Sequence, residues 1–534
     1  MVKNLNLDFS DIPYLSTTDV DYQTGAPALK PFYEYNPELQ AISDAIQVRS
    51  TFYTDRQLLV DVLSAQYKEY EADENAYSYI HQLLEEDTYT MTTAHQPSLM
   101  TGPLYTITKA ISVIKAAQLA SRETGKKILP VYIVGGEDHD FEEVNHFYFF
   151  NNRIEWDTKN TGGPVGRYHT DSIQPVIEEI LDRLSDNETD KYLAQLIRKT
   201  HRPGRLYAVA YADLFYQLLG KYGLIILRMD DPNLKEAFCP IMKKEILESL
   251  SHKTVRPIQD KLEQDGYKPQ AYVRELNLFY LGNNIRERLL PDPSTDKFIF
   301  ESTGKACSRE ELAKMCEELP EQFSPNVVMR PLYQELILPN LAYIGGGGEL
   351  AYWLERKDQF QEFGIPYPML IRRDSILWIP KREYGYLSEE GINGKMIFSS
   401  ADEWVRHFLE NHADIELDLE AEKQHIDDAL NKIVEKASIL DPTLAKSLEA
   451  EKTKLKKSVD QFESRIFRTA KQKNEQKVAK LRRVKEKLFP DNGLMERRDN
   501  LLPFFLRYGD VFFETLLEHL DPFDRNFKVL FEEG

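Results

Sequence analysis

The chain has 534 residues, 42% hydrophobic and 29% charged, which is too long for one hydrophobic core and ordinary for a globular protein of two or three domains. Its 67 basic and 87 acidic side chains leave a formal net charge of −20, which argues against unspecific nucleic-acid binding. Three cysteines without a CxxC pair, an opening without an apolar leader and no stretch long enough to span a bilayer set the expectation of a cytoplasmic protein with no membrane partner.

Residues 1–90 read as a mostly helical arm packed on the core, after a start punctuated by Pro13, Pro27, Pro31 and Pro37. Helices are expected near Pro37 or Glu38 and from Asp55. Residues 88–94 are β-prone and break into His95-Gln96-Pro97. From Leu104 the apolar residues fall at helical spacing (Leu104, Ile107, Ile111, Ile114), and Gly125 closes that helix. The unbroken apolar run 128–134 suits a strand buried on both faces of a parallel sheet. It delivers Glu137-Asp138-His139-Asp140 beyond its carboxyl end, where ligands bind in open α/β sheets. Residues 147–156 read as one strand, 161–167 as a glycine-rich loop, and 174–220 as helix with Asp171 or Ser172 as cap. A second buried strand follows at 224–229 and a helix from Pro232 to 250.

Residues 257–325 read as a smaller α+β insertion, with strands at 272–279, 286–289 and 298–300 and a helix capped by Ser308 and Glu311. The core resumes over 326–388, with a strand at 341–344, four glycines from Gly345 to Gly348, a helix, and a strand at 369–371 tipped by Arg372-Arg373-Asp374. In residues 389–490 the positions Leu419, Ile426, Leu430, Ile433, Ala437 and Leu440 form a heptad seam, broken by Asp441-Pro442. A second long helix carries Leu455, Val459, Phe462 and Ile466. Acids load the first helix (Glu410, Asp414, Glu416, Asp427) and bases the end of the second (Lys471, Arg482, Lys487), so an antiparallel coiled-coil hairpin that makes a homodimer is expected. Residues 491–534 return to the core, leaving 91–256 and 326–388 as the two parts of one α/β sheet.

Three stretches carry chemistry. Glu137, Asp138, His139 and Asp140 crowd a strand end, which suits an acid/base pair, a magnesium site or a clamp on a substrate amine. The plain alternative is a solvated turn in which Asp140 caps the next helix; Asn145 and His146 extend the same wall. The loop holding His95, Gln96, Gly102 and Tyr105 precedes a helix N-terminus, a place for anions, although neither GxGxxG nor a P-loop is present. The glycine run before Glu349 follows the same logic, with Arg330, Arg372 and Arg373 as cations whose ordinary fate is an ion pair.

The runs Ala94-His95-Gln96-Pro97, Thr101-Gly102-Pro103-Leu104-Tyr105, Gly136-Glu137-Asp138-His139-Asp140 and Asn145-His146 resemble the bacillithiol-forming cysteine ligases (BshC). So do Asn326-Val327-Val328-Met329-Arg330-Pro331-Leu332-Tyr333-Gln334-Glu335 and Gly347-Gly348-Glu349-Leu350-Ala351-Tyr352-Trp353, and the likeness extends over nearly the whole chain. It implies a Rossmann-like parallel core related to class I aminoacyl-tRNA synthetases, small inserted segments and a long coiled coil that dimerises. The implied reaction joins L-cysteine to the amine of glucosaminyl malate, with ATP expected to activate the carboxylate and Mg2+ to accompany it. Asp138 and His139 are assigned to position or deprotonate the attacking amine. Substrate binding is assigned to His95, Gln96, Gly102, Tyr105, Glu137, Asp140, Asn145, His146, Arg330, Gln334, Gly347, Gly348, Glu349, Tyr352 and Arg372, with Glu349 taking the cysteine ammonium, and no residue is assigned to a metal. Where many relatives carry Gln-Gln this chain has His95-Gln96, and the paired-histidine and lysine-serine ATP motifs of class I synthetases are not recognisable. The rival readings are a ligase or nucleotidyltransferase acting on another small amine, and a coiled-coil scaffold that senses a metabolite without turning it over.

Overall fold

Five strands form the central sheet: β1 (Thr88–His95), β2 (Lys127–Val134), β3 (Ile225–Arg228), β4 (Asn340–Gly345) and β5 (Met369–Arg372). The structure is a computed structural model and describes residues 2–159, 162–282, 284–412 and 418–533. Neighbouring strands all run parallel, in the spatial order 3-2-1-4-5. Every residue of β4 and β5 is buried, as is β2 from Ile128 onward, which is why these segments read as unbroken apolar runs. The order reverses between β1 and β4, so the crevice beyond their carboxyl ends is the topological switch point of a doubly wound sheet.

The crossover from β1 to β2 is α1 (Tyr105–Thr124), whose Ile107, Ile111 and Ile114 are buried; it ends at Gly125, in the left-handed region at φ 67°. After β3 comes α2 (Pro232–Glu248), where Asp231 accepts the amides of Asn233 and Leu234 and proline occupies the first turn. After β4 comes α3 (Gly347–Trp353). No helix among the described residues is long and apolar enough to cross a membrane.

Three sequence expectations change. Residues 147–156 are a hairpin, His146–Phe149 against Asn152–Glu155, because Phe150 and Asn151 both take positive φ (47° and 65°) and turn the chain. The long helix over 174–220 is three helices, Gln174–Leu181, Glu188–Thr200 and Tyr207–Leu219. Asn187 caps a new start through the Asp190 amide at 3.0 Å, Gly204 turns at φ 82°, and neither Asp171 nor Ser172 is the first helix's cap. The strand expected at 272–279 begins only at Leu278. Asn277 engages both the amide and the carbonyl of Arg274 (3.0 and 2.7 Å), taking the groups a ladder would need. In the rest of the insertion the strands Leu278–Gly282, Ile285–Pro291, Lys297–Phe300, Ala306–Ser308 and Phe323–Pro325 form one antiparallel sheet, and Ser308 and Glu311 make a capping box. Thr161 of the glycine-rich loop lies outside the described residues.

The chain's two ends meet: Val2–Asp8 pairs antiparallel with Asn526–Glu532, which pairs parallel with Ile376–Ile379. Beyond that sheet, Glu420–Leu440 and Pro442–Lys473 pack as a hairpin that turns at Asp441-Pro442. Lys423 bonds Asp460 and Glu463 at 3.2 and 3.0 Å, and Asp427 bonds Lys452 and Lys456 at 3.2 and 2.7 Å. The basic end of the second helix and its continuation meets Asp402 and Glu383, on the helices that precede the hairpin, through Lys471, Arg482 and Lys487. Asp414 and Glu416 lie outside the described residues.

Candidate active site at the switch point

A cavity of about 610 Å³ opens beyond the carboxyl ends of β1 and β4. The sheet and its loops bring to it His95, Gln96, Tyr105, Asp138, His139, Arg330, Gln334, Gly347, Gly348, Glu349 and Tyr352. The insertion closes one side with Arg274, Phe279, Arg286 and Arg288, and the C-terminal segment adds Arg497.

Asp138 is held on several sides. Gln96 Nε2 donates to its Oδ2 at 2.7 Å, the His139 amide to its Oδ1 at 2.8 Å, and Arg286 Nη1 lies 3.4 Å from Oδ1. Burial would raise this carboxyl, but the charges of Arg286 and Arg330 and the bond from the His139 amide outweigh it and hold Asp138 well below the usual carboxylate range. A carboxylate so acidic is a poor proton acceptor. Arg286 Nη1 also lies 2.8 Å from His139 Nδ1. A guanidinium only donates, so Nδ1 accepts and the neutral ring carries its proton on Nε2. The positioning role suits this geometry better than the deprotonating one, because the ring offers a donor and the carboxylate is already engaged. The Arg286 guanidinium itself stacks on Phe279, 3.8 Å from the ring centre.

Glu349 faces the other side. Its Oε1 accepts from Lys109 Nζ at 2.6 Å and from the Tyr343 hydroxyl at 2.8 Å, and its Oε2 from the Gly346 amide at 2.9 Å, which ties it to the first turn of α3. Burial would raise Glu349, but Lys109 outweighs it and keeps the carboxylate ionised. The negative charge expected to meet a substrate ammonium is therefore already balanced by a buried lysine. Burial, helped by the Lys109 charge, pushes His95 down to about 3, leaving a neutral imidazole 5.4 Å from the Tyr105 ring. Tyr105 is pushed up to about 12, first by burial and then by Glu349.

Other candidates are drawn elsewhere. Glu137 pairs with the buried Lys235 at 2.5 Å, which also bonds Asp230 at 3.0 Å, and Arg167 grips Asp230 with two bonds of 2.7 and 2.8 Å. Asp140 caps the short helix Phe141–Val144 through the Glu143 amide. Asn145 bonds Glu155 and His146 within the hairpin, and His146 lines a separate hollow with Pro103, Tyr148 and Arg498. Gly102 sits at φ 69° in a tight turn where a Cβ would come 2.6 Å from Ser98 Cβ; its carbonyl and that of Met100 accept from Asn500 at 2.6 and 2.7 Å. The C-terminal segment thus covers the loop that sequence alone offered to an anion. Arg372 is locked onto Asp19 by bonds of 3.2 and 3.0 Å, while Arg373 reaches the cavity from a paired grip on Glu496 at 3.1 and 2.9 Å. Gly347 is required by packing, since a Cβ there would lie 2.2 Å from the Asp19 carboxyl.

Sequence reasoning passed over Lys109, Arg274, Arg286, Arg288 and Arg497. For Lys109 a signal existed: it stands one helical turn from Tyr105, between the core positions Ile107 and Ile111. Arg286 and Arg288 alternate on one strand, but nothing local says that this strand faces the core's cavity.

A parallel sheet with the 3-2-1-4-5 order, an arginine-rich cavity at its reversal and a helical hairpin appended define a Rossmann-like domain joined to a coiled coil. The family model for the BshC N-terminal Rossmann-like domain of bacillithiol biosynthesis matches residues 5–374, and that for the BshC C-terminal coiled-coil domain matches 376–532. The chain belongs to the BshC family. Among curated relatives, one from Flavobacterium johnsoniae is 33% identical over 97% of both chains. One from Christiangramia forsetii is 32% identical over 98% of both, and one from Bacillus anthracis 28% identical over 95% of this chain and 96% of its own. All three carry the name "Putative cysteine ligase BshC". A Campylobacter jejuni structure titled as an arginyl-tRNA synthetase covers 81% of this chain and 92% of its own at 13% identity, with a TM-score of 0.21 that bears on neither fold nor function.

Proposed function

We propose that this BshC-family chain is an ATP-dependent ligase that joins the carboxyl carbon of L-cysteine to the amine of glucosaminyl malate. The observation that carries the reading is the charge of the cavity. Six arginines (Arg274, Arg286, Arg288, Arg330, Arg373 and Arg497) line it, in a protein whose formal net charge is −20. Guanidinium forks recognise carboxylates and phosphates, and the proposed reactants are a triphosphate, a malate glycoside with free carboxylates and an amino acid. Amide formation in water is uphill, so the cysteine carboxylate oxygen must leave on a phosphoryl or adenylyl group. The amine then attacks the acyl carbon, expels that group and loses a proton.

The residues present fit the phosphates of ATP through the arginines. For Mg2+ the cavity offers the carboxylates Asp138, Glu143 and Glu349, of which Asp138 and Glu349 are held by cationic partners, so the ion would arrive on the nucleotide rather than in a protein cage. His139 Nε2 would donate to an oxygen gaining charge, and Gln96 and Arg286 keep Asp138 and His139 in place for it.

The same proposal places the enzyme in the cytoplasm, whose reducing pool suits three free cysteines. It makes the coiled coil the homodimer contact. On the hairpin Ile433, Ile439, Leu440, Leu444, Leu455 and Phe462 are exposed in the single chain, an apolar surface for a second copy.

The test is mass spectrometry of the purified protein with cysteine, glucosaminyl malate and Mg-ATP, each omitted in turn. Product only from the complete mixture supports the ligase, and AMP or ADP identifies the leaving group. ATP turnover with a different amine would transfer the reading to that acceptor; ligand binding without turnover would leave the scaffold.

A further inference from the structure

Two of the three cysteines touch although they stand 77 positions apart in the chain. Cys239 lies on α2 and Cys316 on the helix Arg309–Glu318 of the insertion; their sulfurs are 3.8 Å apart, and the Cys239 thiol is 3.4 Å from the Cys316 carbonyl oxygen. Cys316 is fully buried, whereas 8% of Cys239 reaches solvent. Cys307 is buried at the insertion's edge strand and makes no sulfur contact among the described residues.

We propose that Cys239 and Cys316 are an oxidisable dithiol, which hydrogen peroxide closes to a disulfide between α2 of the Rossmann-like core and the inserted segment. Exposure divides the roles, since only Cys239 reaches solvent, and the electrostatics agree. The hydrogen bond between the two thiols, and the charge of Lys243 one turn along α2, itself paired with Glu317 at 2.9 Å, hold Cys239 below the usual thiol range. Its interaction with Cys239, then burial, pushes Cys316 up. Cys239 is the attacking thiolate and Cys316 the resolving thiol.

The steps balance. Cys239 Sγ attacks one peroxide oxygen, the O–O bond breaks, and hydroxide leaves to take up a proton as water. Cys316 Sγ then attacks the sulfur of the Cys239 sulfenic acid, the S–O bond breaks, and the departing hydroxide takes the Cys316 proton. Two thiols are oxidised, one peroxide is reduced, and two waters form. The sulfurs must close from contact at 3.8 Å to a bond of about 2.05 Å, a movement of about 1.8 Å shared between the two helices. One of these helices carries Lys235, which holds Glu137 at the sheet edge, and the other belongs to the segment that carries Arg286. The proposal does not rest on the ligase reading.

The full-length reduced protein is treated with hydrogen peroxide, alkylated and digested without reductant. The expected result is a peptide linking Cys239 to Cys316, an intact mass lower by two hydrogens, alkylated Cys307, and reversal by dithiothreitol. Cys239 should react at least about tenfold faster than Cys307. C316S should stop at a Cys239 sulfenic acid that dimedone traps, and C239S should leave Cys316 unoxidised. The proposal is overturned if native Cys239 and Cys316 stay alkylatable under peroxide that oxidises the unfolded chain, or if Cys316 in a folded C239S protein oxidises at the wild-type rate.

Discussion

Arg286 Nη1 donates to His139 Nδ1 at 2.8 Å, across 147 residues of chain. One strand of the insertion thereby sets the tautomer of a ring at the edge of the central sheet. A side chain that keeps a donor near Nε2 should replace His139 better than one that cannot. H139Q is therefore expected to retain about tenfold more kcat/KM than H139A in the ligase assay, because a positioned hydrogen bond to a charged oxygen contributes on the order of 1.5 kcal/mol. In protein with 15N-labelled histidine, the His139 resonances, assigned by their loss in H139Q, should show the Nε2–H tautomer, and R286M should abolish that preference. A wild-type ring protonated on Nδ1 would refute the assignment.

Lys109 and Glu349 form an ion pair in which the lysine side chain is only 1% exposed. Removing one partner strands a charge in a poorly solvated place. K109M and E349Q should each lower stability by about 3 kcal/mol, and the double variant should recover a large part of that loss. Urea unfolding of the four proteins checks it; additive single losses would show that the two charges act independently.

Arg274, Arg288 and Arg497 line the cavity and have no carboxylate within ion-pair distance among the described residues. Their charge is available to an anionic ligand. R288Q or R497Q should weaken binding of Mg-ATP or glucosaminyl malate about tenfold with little change in Tm, and added salt should shrink the difference. Calorimetric titration distinguishes this from a fold defect.

Glu335 gives a pH signature. Burial pushes it up to about 7, against Arg49 and the bonds from Gln334 and Asn340 that favour the ionised form. A carboxyl raised on folding binds more protons folded than unfolded between its ordinary value of 4.5 and about 7. The native state therefore keeps its full stability below that window and loses it as pH rises through it. E335Q cannot ionise and keeps an acceptor for Asn340, which donates to Oε1 at 2.7 Å. It should be about 1–3 kcal/mol more stable than wild type at pH 8, and the two should converge near pH 4.

Light scattering of the wild-type chain should report a homodimer. L455E combined with F462E should report a monomer, since both positions are exposed on one helix of the hairpin (49% and 55%). A wild-type monomer at micromolar concentration would remove the dimer from the proposal.

The central sheet was legible along the chain. Runs 128–134 and 341–344 are apolar without alternation, and only a strand covered on both faces uses such a sequence. Those strands in turn placed the acidic loop, the glycine run and the loop after β1 at one edge. The misread segments, 147–156, 174–220 and 272–279, turned on left-handed residues, a new cap at Asn187 and the Asn277 side chain, which are local bonds that periodicity does not register.

What a residue type with its spacing determined was which side chains could do chemistry: Asp138, His139 and Glu349 all reach the cavity. What only the tertiary structure decided was the charge each one meets. Arg286, Lys109 and Asn500 come from 148, 240 and 398 residues away to Asp138, Glu349 and Gly102. Electrostatics and hydrogen bonds depend on distance in space, and a chain folded through an insertion and a returning C-terminus separates that from distance in sequence.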